Sequence, residues 1–306
     1  MSSAAGRAVR HLFLRRLPGQ CMTVFLSIPP RIEASRWLPW TDSGANESGM
    51  NGRPRLFCLP HAGGSAALFR PWMRAAQARG IVLCPVELPG RGTWRDAAPR
   101  RDMRALVTAM ADDLAPTLAS GRCALFGHSL GGLVCAFLAD ELKHRGIAVD
   151  RLYLSAIALD RGWRDRGWSA LDDAALCGLL ALSDATPPEI LANAEFMSRA
   201  MPTIRADLAL AEQSSFGGTL DMSVTVMSGT HDDVAPFARV AEWQRVCSGP
   251  FRHIEYPEGH HFLRQRLGDI LSRVAADFAA APPAAPESST TPSPAMSPGV
   301  DGLPTS

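Results

Sequence analysis

Gly127-His128-Ser129-Leu130-Gly131 puts a serine at the apex of a glycine-flanked turn, between an apolar run (Cys123 to Phe126) and an apolar helical stretch (Leu133 to Leu142). A strand that turns this sharply into a helix forms a nucleophile elbow. The strained turn lifts the hydroxyl out of the sheet, and a side chain at either glycine would collide with the neighbouring strand or helix. A serine nucleophile needs a base within hydrogen-bond reach and a carboxylate to orient that base. Both are available downstream, each on a turn after an apolar run: Gly229-Thr230-His231-Asp232-Asp233 offers carboxylates and Glu258-Gly259-His260-His261 offers imidazoles. Adjacent residues cannot both point at one partner. Asp232, three residues after Gly229, is taken as the acid, and Asp233 as a loop or capping residue. His260, directly after Gly259, is taken as the base, with His261 opening the last helix and facing the lid or core. His61, His128, His231 and His253 fill no unclaimed role in this set and are read as structural.

A tetrahedral intermediate would require two backbone N–H donors. Leu130, the residue after the serine, supplies one, and the turn His61-Ala62-Gly63-Gly64 supplies the other, with Ala62 preferred and Gly63 second. Small residues there let the backbone approach a substrate carbonyl.

The elements that must hold these turns are legible as alternating strands and helices. Leu56 to Leu59, Ile81 to Val86, Cys123 to Phe126, Leu152 to Leu159, Val224 to Met227 and Arg252 to Tyr256 read as strands. Ala66 to Arg79, Asp102 to Leu118, Phe237 to Cys247 and His261 to Ala279 read as helices between or after them. Repeated alternation with continuously apolar strands predicts a mostly parallel sheet with helices on both faces. Ser, then Asp, then His, each after a strand, is the chain order of the α/β-hydrolase fold. Between Asp160 and Asp221 the alternation stops. Leu171 to Leu182, Pro188 to Ala192 and Ala194 to Gln213 read as helices, with Pro187-Pro188 and Pro202 as breaks, so about 160–221 is expected to be a helical lid without a core of its own.

The chain of 306 residues is 46% hydrophobic and 20% charged with a net charge of +1, which gives no electrostatic reason to expect nucleic acid or an anionic membrane as a partner. Its seven cysteines form no C-x-x-C pair and read as buried small hydrophobes of a reducing cytoplasm. Residues 1–52, basic at the start and rich in Ser, Gly and Asn at the end, are read as an N-terminal extension or an overlong reading frame with initiation at Met22 or later. The packed domain is expected over 53–280, followed by a disordered Pro/Ser/Thr-rich tail over 281–306.

Several motifs together carry a family resemblance. Leu59-Pro60-His61-Ala62-Gly63-Gly64-Ser65 with Phe69 and Trp72, Glu87-Leu88-Pro89-Gly90-Arg91, Gly127 to Gly132, Pro202-Thr203-Ile204-Arg205-Ala206-Asp207, and Gly249-Pro250-Phe251 leading to Gly259-His260 resemble the type II thioesterases. These are stand-alone α/β-hydrolases of polyketide and nonribosomal peptide assembly lines. The resemblance covers about Arg53 to Ala280 and implies a triad of Ser129, Asp232 and His260, with Ala62 and Leu130 as the oxyanion hole. It implies hydrolysis of acyl or aminoacyl thioesters from the phosphopantetheine arm of a carrier domain, and the protein is expected to be a cytoplasmic monomer. No metal and no cofactor beyond the substrate's own arm is implied. His261 departs from the aromatic residue usual at its position. The competing readings are a carboxylesterase acting on small esters and a non-catalytic carrier-binding protein.

Overall fold

A computed structural model describes residues 34–40, 52–159, 165–182 and 186–280. The readings of 1–33, 41–51 and 281–306 therefore lie outside the described residues, as does Cys21.

Among the described residues six strands run β1 Arg55–Leu59, β2 Val82–Pro85, β3 Cys123–His128, β4 Arg151–Ser155, β5 Ser223–Gly229 and β6 Phe251–Tyr256. They pair in the order β2-β1-β3-β4-β5-β6, and every pairing is parallel. Strand alternation divides the apolar side chains between two cores. Phe57, Leu59, Leu125, Leu152 and Val226 face the helices α3 Met103–Ala119 and α4 Leu130–His144, whereas Leu56, Cys58, Phe126 and Tyr153 face α2 Arg70–Gln77 and the last described helix, α8 Leu263–Ala279. Covering both faces is what makes the central strands continuously apolar in sequence. Cys58, Cys84, Cys123 and Cys135 are buried free thiols, and burial pushes Cys84 and Cys123 up to about 12, so they stay protonated and serve as packing.

The short helix α1 Ala34–Trp37 corrects the expectation that the packed domain starts at Arg53. Trp37 is buried at 1% exposure, its Nε1 donates to Asp113 Oδ2 at 2.6 Å, and its ring meets Trp94 edge-on at 4.7 Å. The Glu87 N–H donates to the Trp37 carbonyl at 2.8 Å. Trp37 lies in the short run Arg31 to Trp40, whose apolar residues keep no helical or strand period that would announce this.

The lid comprises α5 Asp173–Leu182, α6 Pro188–Leu191 and α7 Ala194–Gln213. Pro202 lies inside α7 rather than breaking it. Contrary to expectation, the lid also has a small core: Leu176, Met197, Met201, Ile204 and Leu208 cluster together and pack on Ala62 and Trp168. Arg205 holds the lid's parts together, with Nη1 donating to the Ser169 and Leu171 carbonyls and Nη2 to Asp173 Oδ1 at 2.6 Å.

Candidate active site

Ser129 stands between β3 and α4 with φ 53° and ψ −123°, a region that L-residues rarely adopt. The close approach of helix to strand explains both flanking glycines. A Cβ on Gly127 would lie 2.1 Å from the Gly131 carbonyl oxygen, and one on Gly131 would lie 2.3 Å from that of Leu59. The Ser129 N–H donates to the Ser155 carbonyl at 2.7 Å, which pins the apex to β4.

Asp232 follows β5 and is buried at 3% exposure. Its Oδ1 accepts from the N–H groups of Val234 and Ala235 at 2.9 and 2.8 Å, and its Oδ2 accepts from His260 Nδ1 at 2.8 Å. A carboxylate oxygen accepts here, so the hydrogen bond uses the Nδ1 proton and, in the neutral ring, leaves Nε2 as the acceptor. Asp233 is exposed and makes none of these contacts. The two turns are bound to each other through backbone, Thr230 N–H to Tyr256 O at 2.8 Å and His231 N–H to Glu258 O at 3.0 Å. Gly229 permits this, since a Cβ there would fall 2.3 Å from the Glu258 carbonyl.

Ala62 N–H and Leu130 N–H have no protein acceptor among the described residues. Gly63, the second choice for an oxyanion donor, is already engaged: its N–H donates to Asp207 Oδ2 at 2.7 Å. Asp207 in turn forms a two-point pair with Arg91, Nη1 to Oδ2 at 2.6 Å and Nη2 to Oδ1 at 2.7 Å, with side chains 7% and 2% exposed. Arg91 Nη1 also donates to the Gly64 carbonyl at 3.1 Å. The lid helix, the Pro89-Gly90-Arg91 loop and the glycine turn thus meet in one buried ion pair. The detectable trace of this in sequence is an aspartate set among the apolar residues Ile204, Ala206 and Leu208.

Four imidazoles crowd the site. His261 is 5.0 Å from His61, 5.6 Å from His128 and 4.9 Å from His260, ring centre to ring centre. His61 Nδ1 donates to the Ala62 carbonyl at 2.9 Å, and His128 Nδ1 lies 3.0 Å from Ser155 Oγ. Burial, reinforced by the neighbouring imidazoles, drives His128 well below its ordinary value and pushes His261 down to about 2. His61, read from sequence as structural, and His261 both line the cavity over Ser129. That cavity, about 80 Å³ and partly open, is also lined by Trp168, Leu176, Leu179, Leu180, Leu208 and Val234. His231 is exposed, and His253 stacks on Phe237 away from the cavity. Among the described residues no cluster of His, Cys, Asp or Glu is arranged to hold a metal ion, and no helix is long and apolar enough to cross a membrane.

Comparison with known proteins places this arrangement in a family. The thioesterase domain family matches residues 54–278. The sequence is 31% identical over 227 residues to the thioesterase PikA5 of Streptomyces venezuelae, covering 73% of this chain and 80% of that protein. RedJ, a thioesterase from the prodiginine biosynthetic pathway in Streptomyces coelicolor, superposes with a TM-score of 0.68 at 29% identity over 75% of this chain and 87% of its own. The type II thioesterase BorB from the borrelidin biosynthetic cluster superposes with a TM-score of 0.65 at 30% identity over 74% and 92%. The chain accordingly belongs to the thioesterase domain family and is a serine-type thioester hydrolase with the α/β-hydrolase fold.

Proposed function

We propose that this protein hydrolyses acyl or aminoacyl thioesters carried on the phosphopantetheine arm of carrier domains in a polyketide or nonribosomal peptide assembly line, through an acyl-enzyme on Ser129. The reading rests on the His260 to Asp232 hydrogen bond, 2.8 Å, with Ser129 lining the same cavity as His260. Its assembly-line context is supported by relatives such as BorB and PikA5. In this mechanism the Ser129 hydroxyl attacks the thioester carbonyl as its proton passes to His260 Nε2. Asp232 holds the ring in the required tautomer and stabilises the imidazolium. The Ala62 and Leu130 N–H groups receive the oxyanion, each contributing roughly 3 to 4 kcal/mol to lowering the barrier. The departing thiol, with an acidity near that of cysteine at about 8.5, takes the proton back from His260, and water then releases the acyl group by the same steps.

The substrate class is tested by comparing an acyl-loaded carrier domain with a nitrophenyl ester of the same acid. Much faster turnover of the loaded carrier supports the proposal. Equal or better turnover of the plain ester supports a small-molecule esterase instead. Absence of a fluorophosphonate adduct at Ser129 would favour a binding protein without catalysis.

A further inference from the structure

The cavity over Ser129 is apolar on its lid side, yet its opposite wall carries a polar group with nothing to bind. His261 lines the cavity, and among the described residues neither of its ring nitrogens has a hydrogen-bond partner. The other nearby imidazoles are engaged through Nδ1: His61 with the Ala62 carbonyl, His128 with Ser155, and His260 with Asp232. The ring of His261 is wedged among all three, so it cannot turn away without displacing them. An imidazole held in this position can give or take one hydrogen bond from whatever occupies the cavity. The His261 ring is half-buried and its nitrogens are not sealed from water, so a ligand that displaces that water must offer a partner in its place or lose binding energy.

We propose that His261 is a specificity-determining residue that selects acyl groups bearing a neutral oxygen, a hydroxyl or keto group, close to the thioester. This rests on the thioesterase reading of the same site. The cavity, about 80 Å³, is room for on the order of half a dozen water-sized groups, so the part of the acyl group that shares it with His261 is the few atoms next to the thioester. A neutral oxygen is favoured over an ammonium because the carboxylates nearby are already paired, Asp207 with Arg91 and Asp232 with His260. A cation in the cavity would face uncompensated burial.

The test compares butyryl and 3-hydroxybutyryl thioesters, which differ by one hydroxyl, as pantetheine thioesters and on a loaded carrier domain. The wild-type chain is expected to prefer the hydroxyacyl group in kcat/KM, and His261→Phe to reduce the hydroxyacyl-to-acyl ratio about tenfold. His261→Gln, which keeps a hydrogen-bonding side chain, should retain part of the ratio; it also serves if the phenylalanine variant fails to fold. A ratio near unity in the wild type, or one unchanged in His261→Phe, overturns the inference while leaving the thioesterase reading intact. Failure of the wild type to hydrolyse either acyl group in either format overturns both.

Discussion

Asp207 of the lid accepts the Gly63 N–H at 2.7 Å and thereby ties a lid helix to the turn that presents Ala62. The same carboxylate is clamped by Arg91. The lid helix and the turn that presents the proposed oxyanion donor therefore share one anchor.

Asp207→Asn should lower stability by about 3 to 5 kcal/mol, since it leaves the Arg91 guanidinium buried without a counter-charge. Urea denaturation measures this. Combining Arg91→Met with Asp207→Leu should recover most of that loss, but not the thioesterase activity, because leucine leaves the Gly63 N–H without its acceptor. Recovery of both would show that the pair acts on stability alone.

Asp232→Asn should lower kcat on the order of 10⁴-fold with the fold intact, because an amide can favour the wrong imidazole tautomer. Asp233→Asn should leave kcat unchanged, as Asp233 is exposed and outside the hydrogen-bonded set. Steady-state kinetics on any good thioester substrate distinguishes the two.

Trp37→Ala should destabilise the domain by about 3 to 5 kcal/mol, the usual loss for emptying a buried tryptophan site. The melting temperature should fall by about 2 to 4 °C for each of those kcal/mol in a domain of this size. A shift below about 2 °C would mean that Trp37 is not integral to the packed domain.

Acid should weaken the fold through the imidazole cluster. His128 and His261 are held neutral in the folded state, with His261 at about 2, whereas an unfolded histidine takes up a proton near pH 6.5. The unfolded chain therefore binds more protons below about pH 6.5. Stability is complete above that pH and falls as pH drops, by about 1.4 kcal/mol per pH unit for each such histidine. Urea midpoints between pH 7.5 and 5 should fall less steeply in His261→Phe than in the wild type; parallel slopes would contradict this.

Much of this site is legible in the sequence because its chemistry sits on turns between regular elements. At Ser129, Asp232 and His260 a glycine one to three positions earlier lies at or just past the end of a strand, so local pattern and chain order point to these three turns. Pairings distant in sequence leave no such trace. Arg91 and Asp207 lie 116 positions apart, and only the fold brings them together. Trp37 is anchored by the single side chain of Asp113 and by packing on Trp94, neither of which produces a period in the sequence. Pro202 does not act as the break its residue type suggests, because a helix packed over a cavity can tolerate one missing N–H when its apolar face is otherwise buried.

The most direct test of the central claim is intact-mass and peptide analysis of the protein quenched during turnover of an acyl-loaded carrier domain. The account predicts a transient mass gain equal to the acyl group, mapped to the peptide containing Ser129, and its complete loss in Ser129→Ala together with carrier deacylation. Unchanged deacylation of the carrier by Ser129→Ala, or an acyl adduct on another residue, would contradict it.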